Sequence, residues 1–196
     1  MNTACRHANS AAVVQDITDR KAAEEVLLLQ ALHDPLTGLP NRILFRERLE
    51  QVIRQRLDDT VAAVMVLDLD GFKAVNDEHG HGFGDVVLRE VAARWRSALR
   101  RGETLARLGG DEFAVVAARI RSPEAAVRIG DRLIRRLNAP FDLNGHSLTL
   151  GVSVGIALHP QHGDDFDSLL TCADRAMYAA KRNGGGCAVF LKHTDH

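Results

Sequence analysis

The sequence predicts an α/β (α+β) domain, a mixed sheet covered by helices. Three observations carry this. "VAAVMVLDLD" (61–70) is a short, nearly all-apolar run, the mark of a central strand buried on both faces. "ARLGGDEFAVV" (106–116) sets apolar arms around Gly109 and Gly110, as a buried β-hairpin does. Around these strands lie amphipathic stretches whose apolar residues recur about one helical turn apart.

Residues 1–15 hold no sustained period. "DITDRKAAEEVLLLQALHD" (16–34) turns strongly helical, with Thr18 as N-cap, a stripe of Val26, Leu29 and Leu32, and Leu27 and Leu28 widening it. A helix so apolar ahead of the main domain suggests pairing with another helix; packing back onto its own domain is the alternative. Pro35, Gly38 and Pro40 then punctuate the chain, placing a boundary near His33. Asn41 caps a second amphipathic helix carrying Leu44, Leu49, Val52, Ile53 and Leu57. After the central strand, "GFKAVNDEHGHGFGD" (71–85) is too rich in glycine and polar residues to be core. It leads into a helix from about Asp85 to Arg100 with Leu88, Val91, Trp95 and Leu99 inward. Leu105 to Leu108 and Phe113 to Ala117 form the hairpin arms. Ser122-Pro123-Glu124 is an N-cap, a first-position proline and a first-turn acid for a helix to about Asn138. Asn144-Gly145 marks a type I′ hairpin between "FDL" and "HSLTLGVSVGIAL", where alternation at Leu148, Leu150, Val152 and Val154 indicates a half-buried strand. A last helix, about Phe166 to Asn183, stops at the glycines 184–186, and Cys187 to Phe190 returns as a strand.

Composition narrows the function. Lys+Arg 25 against Asp+Glu 26 leaves a formal charge of -1, without the basic field that a nucleic-acid polymer requires. The apolar run 61–67 is far below the roughly 20 residues that cross a bilayer, and no signal-peptide core stands at the start, so no direct membrane insertion is expected. Cys5, Cys172 and Cys187 have neither disulfide-framework nor zinc spacing, which favours a reducing, cytoplasmic setting. A histidine metal site has little support: His79 and His81 lie in a glycine loop, and His159 and His162 flank a proline turn.

The acids are the informative residues. Residues two apart on a strand share a face, so Asp68 and Asp70 emerge together at the end of a central strand, where α/β ligand sites commonly lie. If the hairpin strand is its neighbour, Asp68 and Asp111 converge with Glu112 in an oxygen-rich site suited to Mg²⁺. Like charges there cost several kcal/mol at low dielectric unless a cation neutralises them. Taken alone, Asp111-Glu112 reads equally as a solvated polar turn. Gly71, Phe72 and Lys73 begin a turn that can aim backbone N–H groups at a phosphate, although a lysine at a helix start is commonly just solvated. Asp85 can accept from the N1–H and exocyclic amine of guanine while Asn76 serves the other edge; Asp85 reads as well as a helix N-cap.

Taken together, "HDPLTGLPNR", "DLDGFKAVND", "HGFGD", "ARLGGDEF", "VSVGIA" and "ADRAMYAAKRNG" occur in the order and spacing of the GGDEF domains, the diguanylate cyclases, and the chain resembles one from His33 to about Phe190. The resemblance implies a palm-like fold shared with adenylyl cyclases and polymerases, a mainly antiparallel central sheet with helices around it. It implies synthesis of cyclic di-GMP from two GTP molecules by a homodimer of half-sites, with release of two pyrophosphates. Asp68, the Leu69 carbonyl and Asp111 would then hold Mg²⁺ or Mn²⁺, two ions per site, and Glu112 would also be required for catalysis. Asn76 and Asp85 would recognise guanine; Gly71, Phe72, Lys73 and Lys181 would surround the phosphates; Gly109 and Gly110 would let backbone approach the nucleotide. "DITDRKAAEE" resembles the tail of a PAS sensory domain and its signalling helix, which implies an upstream sensor. The division implied is 1–32 tail and linker helix, 33–192 catalytic domain and 193–196 C-terminal tail.

Two positions depart from the family pattern. Where an Arg-x-x-Asp product site is common, this chain has Arg100, Arg101, Gly102 and Glu103, so weakened product inhibition is expected. Where Gly-Arg-Asn often follows Lys181, this chain has Gly184, Gly185 and Gly186, and a phosphate-binding arginine is missing. A single charge-assisted hydrogen bond is worth roughly 1.5–3 kcal/mol, so its absence predicts weaker GTP binding rather than inactivity. The alternative is a catalytically weak or inactive GTP-binding regulatory domain of a larger sensor or phosphodiesterase protein.

Overall fold

A computed structural model describes residues 27–55, 60–143 and 145–190. The expected Thr18 cap, Val26, residues 1–15 and 193–196, and the Asn144 half of the hairpin turn lie outside these residues. Residues 27–32 are helical, followed by an irregular turn up to Asn41. The order is then α1 (Arg42–Arg54), β1 (Val61–Asp70), α2 (Phe72–His79), α3 (His81–Ala98), β2 (Glu103–Gly109), β3 (Glu112–Ile120), α4 (Pro123–Leu137), β4 (Phe141–Leu143), β5 (His146–Leu148), β6 (Gly151–His159), α5 (Phe166–Arg182) and β7 (Gly186–Val189).

The five-stranded sheet runs β2-β3-β1-β6-β7, and β4-β5 form a separate two-stranded ribbon. All neighbours are antiparallel except β6 and β7, so the sheet is mixed and mainly antiparallel. β1 is central, and its alternate residues enter two cores. Ala63, Met65 and Leu67 meet α3 and α4 on one face, while Val64 and Val66 meet α1 and α5 on the other. That two-sided burial is why β1 reads as an unbroken apolar run. On the first face Trp95 is fully buried, donates through Nε1 to the Leu133 carbonyl at 3.0 Å and meets Phe113 edge-on. Burying a side chain of this size contributes roughly 1.5–3 kcal/mol.

Two helix caps fall where the sequence places them. Asn41 accepts from the Ile43 and Leu44 amides, and Ser122 caps a helix with Pro123 in its first turn. Three expectations need correction. Residues 71–85 hold two helices, with Phe72, Val75 and Gly84 buried, because the glycines mark helix ends and a close contact rather than a solvated loop. The helix expected from about Asp85 begins at His81, its cap position is Gly80, and it uses no side-chain cap. The strand expected from residue 146 breaks around residues 149–150, and β6 is almost wholly buried rather than half-buried, because it lies between β1 and β7 with helices on both faces.

α5 lies directly on β6 at Gly155. A Cβ there would stand 2.0 Å from the Ala173 carbonyl oxygen and 2.1 Å from the Met177 nitrogen, both backbone atoms that cannot turn aside. Gly155→Ala is therefore expected to lower stability by about 3 kcal/mol or more in urea unfolding. A loss under about 1 kcal/mol would contradict so close an approach.

Candidate functional site

Carboxylates gather where β1 ends. β1 pairs with β3 as far as Asp68↔Glu112 and with β6 two residues further, to Leu69↔Val152 and Asp70↔Gly151. Past Asp68 the β3 side of β1 thus has no strand partner, and the Leu69 backbone stands at that opening. Asp68 and Asp70 follow Val64 and Val66 onto the α1/α5 face, as a two-residue period dictates. Asp70 accepts from Ser153 Oγ at 2.9 Å. Asp68 accepts from Lys181 Nζ at 2.6 Å, reached from the last turn of α5. Lys181, expected around phosphates, therefore pairs with the carboxylate expected to hold metal, and this hydrogen bond above all raises its pKa.

The β2–β3 turn is built on Gly109 and Gly110, whose φ values of 150° and 52° side chains resist. A clamp fixes it. Arg107 donates from Nε and Nη2 to the Gly110 carbonyl at 3.0 and 2.7 Å, and from Nη1 to both Asp34 oxygens at 3.0 Å. Asp34 also accepts from Thr37 N and Oγ1 at 2.8 and 2.6 Å. Burial opposes ionisation of Asp34, but the bonds from Thr37 and Arg107 together outweigh it and hold its carboxyl below the ordinary value. The turn at 34–40 and the turn carrying Asp111 are one unit.

Burial pushes Asp111 up, Asp68 adds repulsion, and Lys181 and Arg107 partly offset both. Glu112 is raised by burial, then by Asp68, Asp174 and Asp111, with Arg42 acting the other way. The three acids do not close into one cage: among the described residues, no group of three or more His, Cys, Asp or Glu side chains is arranged to hold a metal. Asp68 is turned onto Lys181, and Glu112 is exposed on the sheet face beside Arg42 and Asp174. The donors on offer to a cation are two carboxylates that repel each other, Asp68 and Asp111. Hard oxygens of this kind fit Mg²⁺ or Mn²⁺.

On the other side of β1, Gly71 (φ 77°) turns the chain into α2. Phe72 is buried in the core, so only its backbone can face a phosphate, whereas Lys73 is exposed. Gly84 lets α3 close on α2: a Cβ there would stand 1.9 Å from Asn76 Oδ1. That contact holds the Asn76 amide against the first turns of α3, one residue from exposed Asp85. Because α3 begins four residues earlier, Asp85 is not its N-cap.

Arg100 and Glu103 line a cleft of about 550 Å³ with Arg119, Arg128 and Arg135. The Glu103 carboxylate is already engaged there, paired with Arg132 and accepting from the Arg100 amide at 2.8 Å. After α5, Gly184, Gly185 and Gly186 all take positive φ (92°, 93° and 98°), so the arginine absent from this turn would be strained there. Residues missed in the sequence include Arg107, Asp34, Ser153, Arg42 and Asp174. Arg107 and Asp34 both sit inside the motifs "ARLGGDEF" and "HDPLTG", and their opposite charges were the available signal.

Comparison with known proteins agrees with this fold. The sequence profile described as the diguanylate cyclase GGDEF domain matches residues 31–187. The bifunctional diguanylate cyclase/cyclic di-GMP phosphodiesterase MucR of Pseudomonas aeruginosa is 46% identical over 168 residues, which are 85% of this chain and 24% of that protein. The chain thus spans about a quarter of the length of such curated relatives. The solved GGDEF domain of TpbB from P. aeruginosa superposes with a TM-score of 0.77 at 43% identity, covering 81% of this chain and 94% of that one. The coiled coil and GGDEF domain of DgcB from Caulobacter crescentus, solved with c-di-GMP, gives 0.81 at 28% identity, covering 96% and 100%.

The raised Asp111 pKa has a thermal consequence. An acid whose folded pKa lies above its unfolded value binds more protons when folded, so stability falls as pH rises through that window and the cost is complete at pH 7. Asp111→Asn is expected to raise the thermal midpoint of metal-free protein at pH 7 by about 1–4 °C and to abolish stabilisation by Mg²⁺. Scanning calorimetry showing a lower midpoint, or unchanged stabilisation by Mg²⁺, would contradict the crowding described.

Proposed function

The chain belongs to the diguanylate cyclase GGDEF domain family, and from that premise we propose that it condenses two GTP into cyclic di-GMP, two copies facing each other with one nucleotide each. The observation that carries the reading is the pair of repelling carboxylates, Asp68 and Asp111, from separate segments at the mouth of the β1 strand. In each of two steps, a 3′-oxygen of one GTP forms a bond to the α-phosphorus of the other. The bond from that phosphorus to pyrophosphate breaks, and the hydroxyl proton passes to solvent. Mg²⁺ or Mn²⁺, two per site and held by Asp68, Asp111 and the Leu69 carbonyl, would lower the nucleophile's pKa and stabilise charge on the leaving oxygens. Lys73 and the amides after Gly71 receive phosphate oxygens. Asn76 and Asp85 read guanine, whose N1–H and amine suit an acceptor at Asp85. Lys181 holds Asp68 in place and supplies positive charge beside the phosphates.

One domain holding one GTP cannot close the ring, so dimerisation belongs to the reaction. Leu27, Leu28 and Leu29 are 64%, 59% and 58% exposed on the helix at 27–32, an apolar surface suited to a second copy. We assign residues 1–32 as the linker helix and tail, 33–192 as the catalytic domain, and the region before residue 16 as the place where a PAS-like sensor would join. Relatives of this chain act within larger signalling proteins, and a cytoplasmic setting suits a GTP consumer. With Glu103 engaged by Arg132, product inhibition is weak. The glycine turn at 184–186, which carries no phosphate-binding arginine, favours one second reading, a GTP-binding regulatory domain of low turnover.

Incubation with GTP and Mg²⁺ followed by nucleotide chromatography is expected to yield cyclic di-GMP at a rate little changed by added product, with Asp111→Ala slower by about 10²-fold or more. GTP bound without turnover would establish the regulatory reading instead. Removing residues 1–30 is expected to lower specific activity most at low protein concentration, since a paired helix raises the local concentration of the half-sites. Equal activity of both chains at every concentration would reject that role.

A further inference from the structure

At the end of the sheet away from the acids, the cleft of about 550 Å³ is lined by seven arginines and no lysine. Arg128, Arg132 and Arg135 recur along one face of α4, and the others come from 100–101 and 119–121, so three segments bring positive charge to one hollow. Apart from Glu103, the rest of the lining is glycine, alanine and isoleucine. Glu103 is only 10% exposed and is engaged through Oε2 by Arg132 and the Arg100 amide, so it answers one guanidinium of the seven. The other six make no ion pair among the described residues. The carboxyl of Glu124, outside the lining, is held low chiefly by Ser122, with Arg128 contributing least. Like charges focused in one concavity repel each other unless an anion lies among them.

The backbone points the same way. The register of β1 with β3 shifts between Val61 and Ala63, and Arg119, on the β3 side of that irregularity, is the one non-glycine among the described residues with positive φ, 56°. An L-residue resists that conformation, and a bulge commonly re-aims a side chain; here the residue concerned is an arginine of the cleft wall.

We propose that this cleft binds a polyphosphate, three or more phosphates in a row, as an inorganic chain or as the tail of a nucleotide. The occupant follows from the whole lining. Planar guanidiniums meet phosphate oxygens two at a time, which a wall of arginine without lysine suits. A single phosphate carries about two negative charges and would leave most of the six unanswered. A guanine edge that offers N–H donors needs an acceptor, and the carboxylate in the lining is already engaged, so a bare run of phosphates fits better than the cyclic dinucleotide. The volume lies within the roughly 300–1,000 Å³ of small-molecule sites. The cleft and the acids stand at opposite ends of β1 and β3, so binding here is independent of the cyclase reading.

Calorimetry on the full chain in EDTA, which leaves the acidic site without a cation for phosphate, compares tripolyphosphate, ATP, inorganic phosphate, cyclic di-GMP and a hexaglutamate peptide at equal ionic strength. Thermal midpoints check folding. Tripolyphosphate and ATP are expected to bind at least about tenfold more tightly than the other three. Arg128→Gln and Arg135→Gln are each expected to weaken them about tenfold, while Arg136→Gln, next on α4 but outside the cleft, stays within about twofold of wild type. Equal affinity for tripolyphosphate and ATP assigns the phosphate run alone, and tighter ATP binding lost in the same variants assigns a nucleotide tail; both support the proposal. Cyclic di-GMP or hexaglutamate binding as tightly as tripolyphosphate overturns it. So does an equal loss in Arg136→Gln, which marks general charge attraction, or no binding of tripolyphosphate and ATP.

Discussion

Mutual repulsion among Asp68, Asp111 and Glu112 is the constraint around which this domain is arranged. Asp68 and Glu112 are direct cross-strand partners, a pairing that is destabilising for like charges, and Asp111 stands on the turn beside them. The chain answers the crowding only in part, with Lys181 on Asp68 and Arg42 near Glu112. A residual demand for positive charge remains at the end of β1. The same imbalance that weakens the metal-free fold favours a hard cation at this place.

Such a site needs a stiff frame, and the frame comes from packing rather than from the acids. β1 is sealed on both faces, so its last residues cannot drift relative to β3 and β6. The Arg107 clamp ties the Asp111 turn to the turn at 34–40, immediately after the helix at 27–32. Asp34, Arg107 and the Gly110 carbonyl thus form one hydrogen-bonded chain between the segment after that helix and the turn that carries Asp111. Close glycine contacts do the remaining work. Gly155 seats α5 so that Lys181 and Asp174 stand over the sheet, and Gly84 seats α3 so that Asn76 and Asp85 lie together.

The fold was legible wherever one periodicity governed a segment. β1, the β2–β3 hairpin, α4 with its Ser122-Pro123 start, and α5 with its C-cap at Asn183 all follow from local pattern and caps. It was illegible at 71–85, where glycines that look like loop residues mark the ends of two helices and the contact between them. β6 misled for another reason: apolar alternation is visible, but the small residues between, Ser153, Gly155 and Ala157, are buried under α5, which only tertiary packing reveals. At the site, the carboxylates were readable because strand period and hairpin topology fix where Asp68 and Asp111 point. The turning of Asp68 onto Lys181, 113 positions away, and the placing of Arg42 and Asp174 from two helices on the walls of one cleft were not, since no local rule encodes such distances.

The cyclase reading proposed above depends on a cation held by Asp68 and Asp111. Titration of Mn²⁺ by electron paramagnetic resonance with saturating 3′-deoxy-GTP measures that directly. About two tightly bound ions per domain are expected, with loss of tight binding in both Asp68→Asn and Asp111→Asn. Unchanged Mn²⁺ stoichiometry and affinity in those variants would contradict the account.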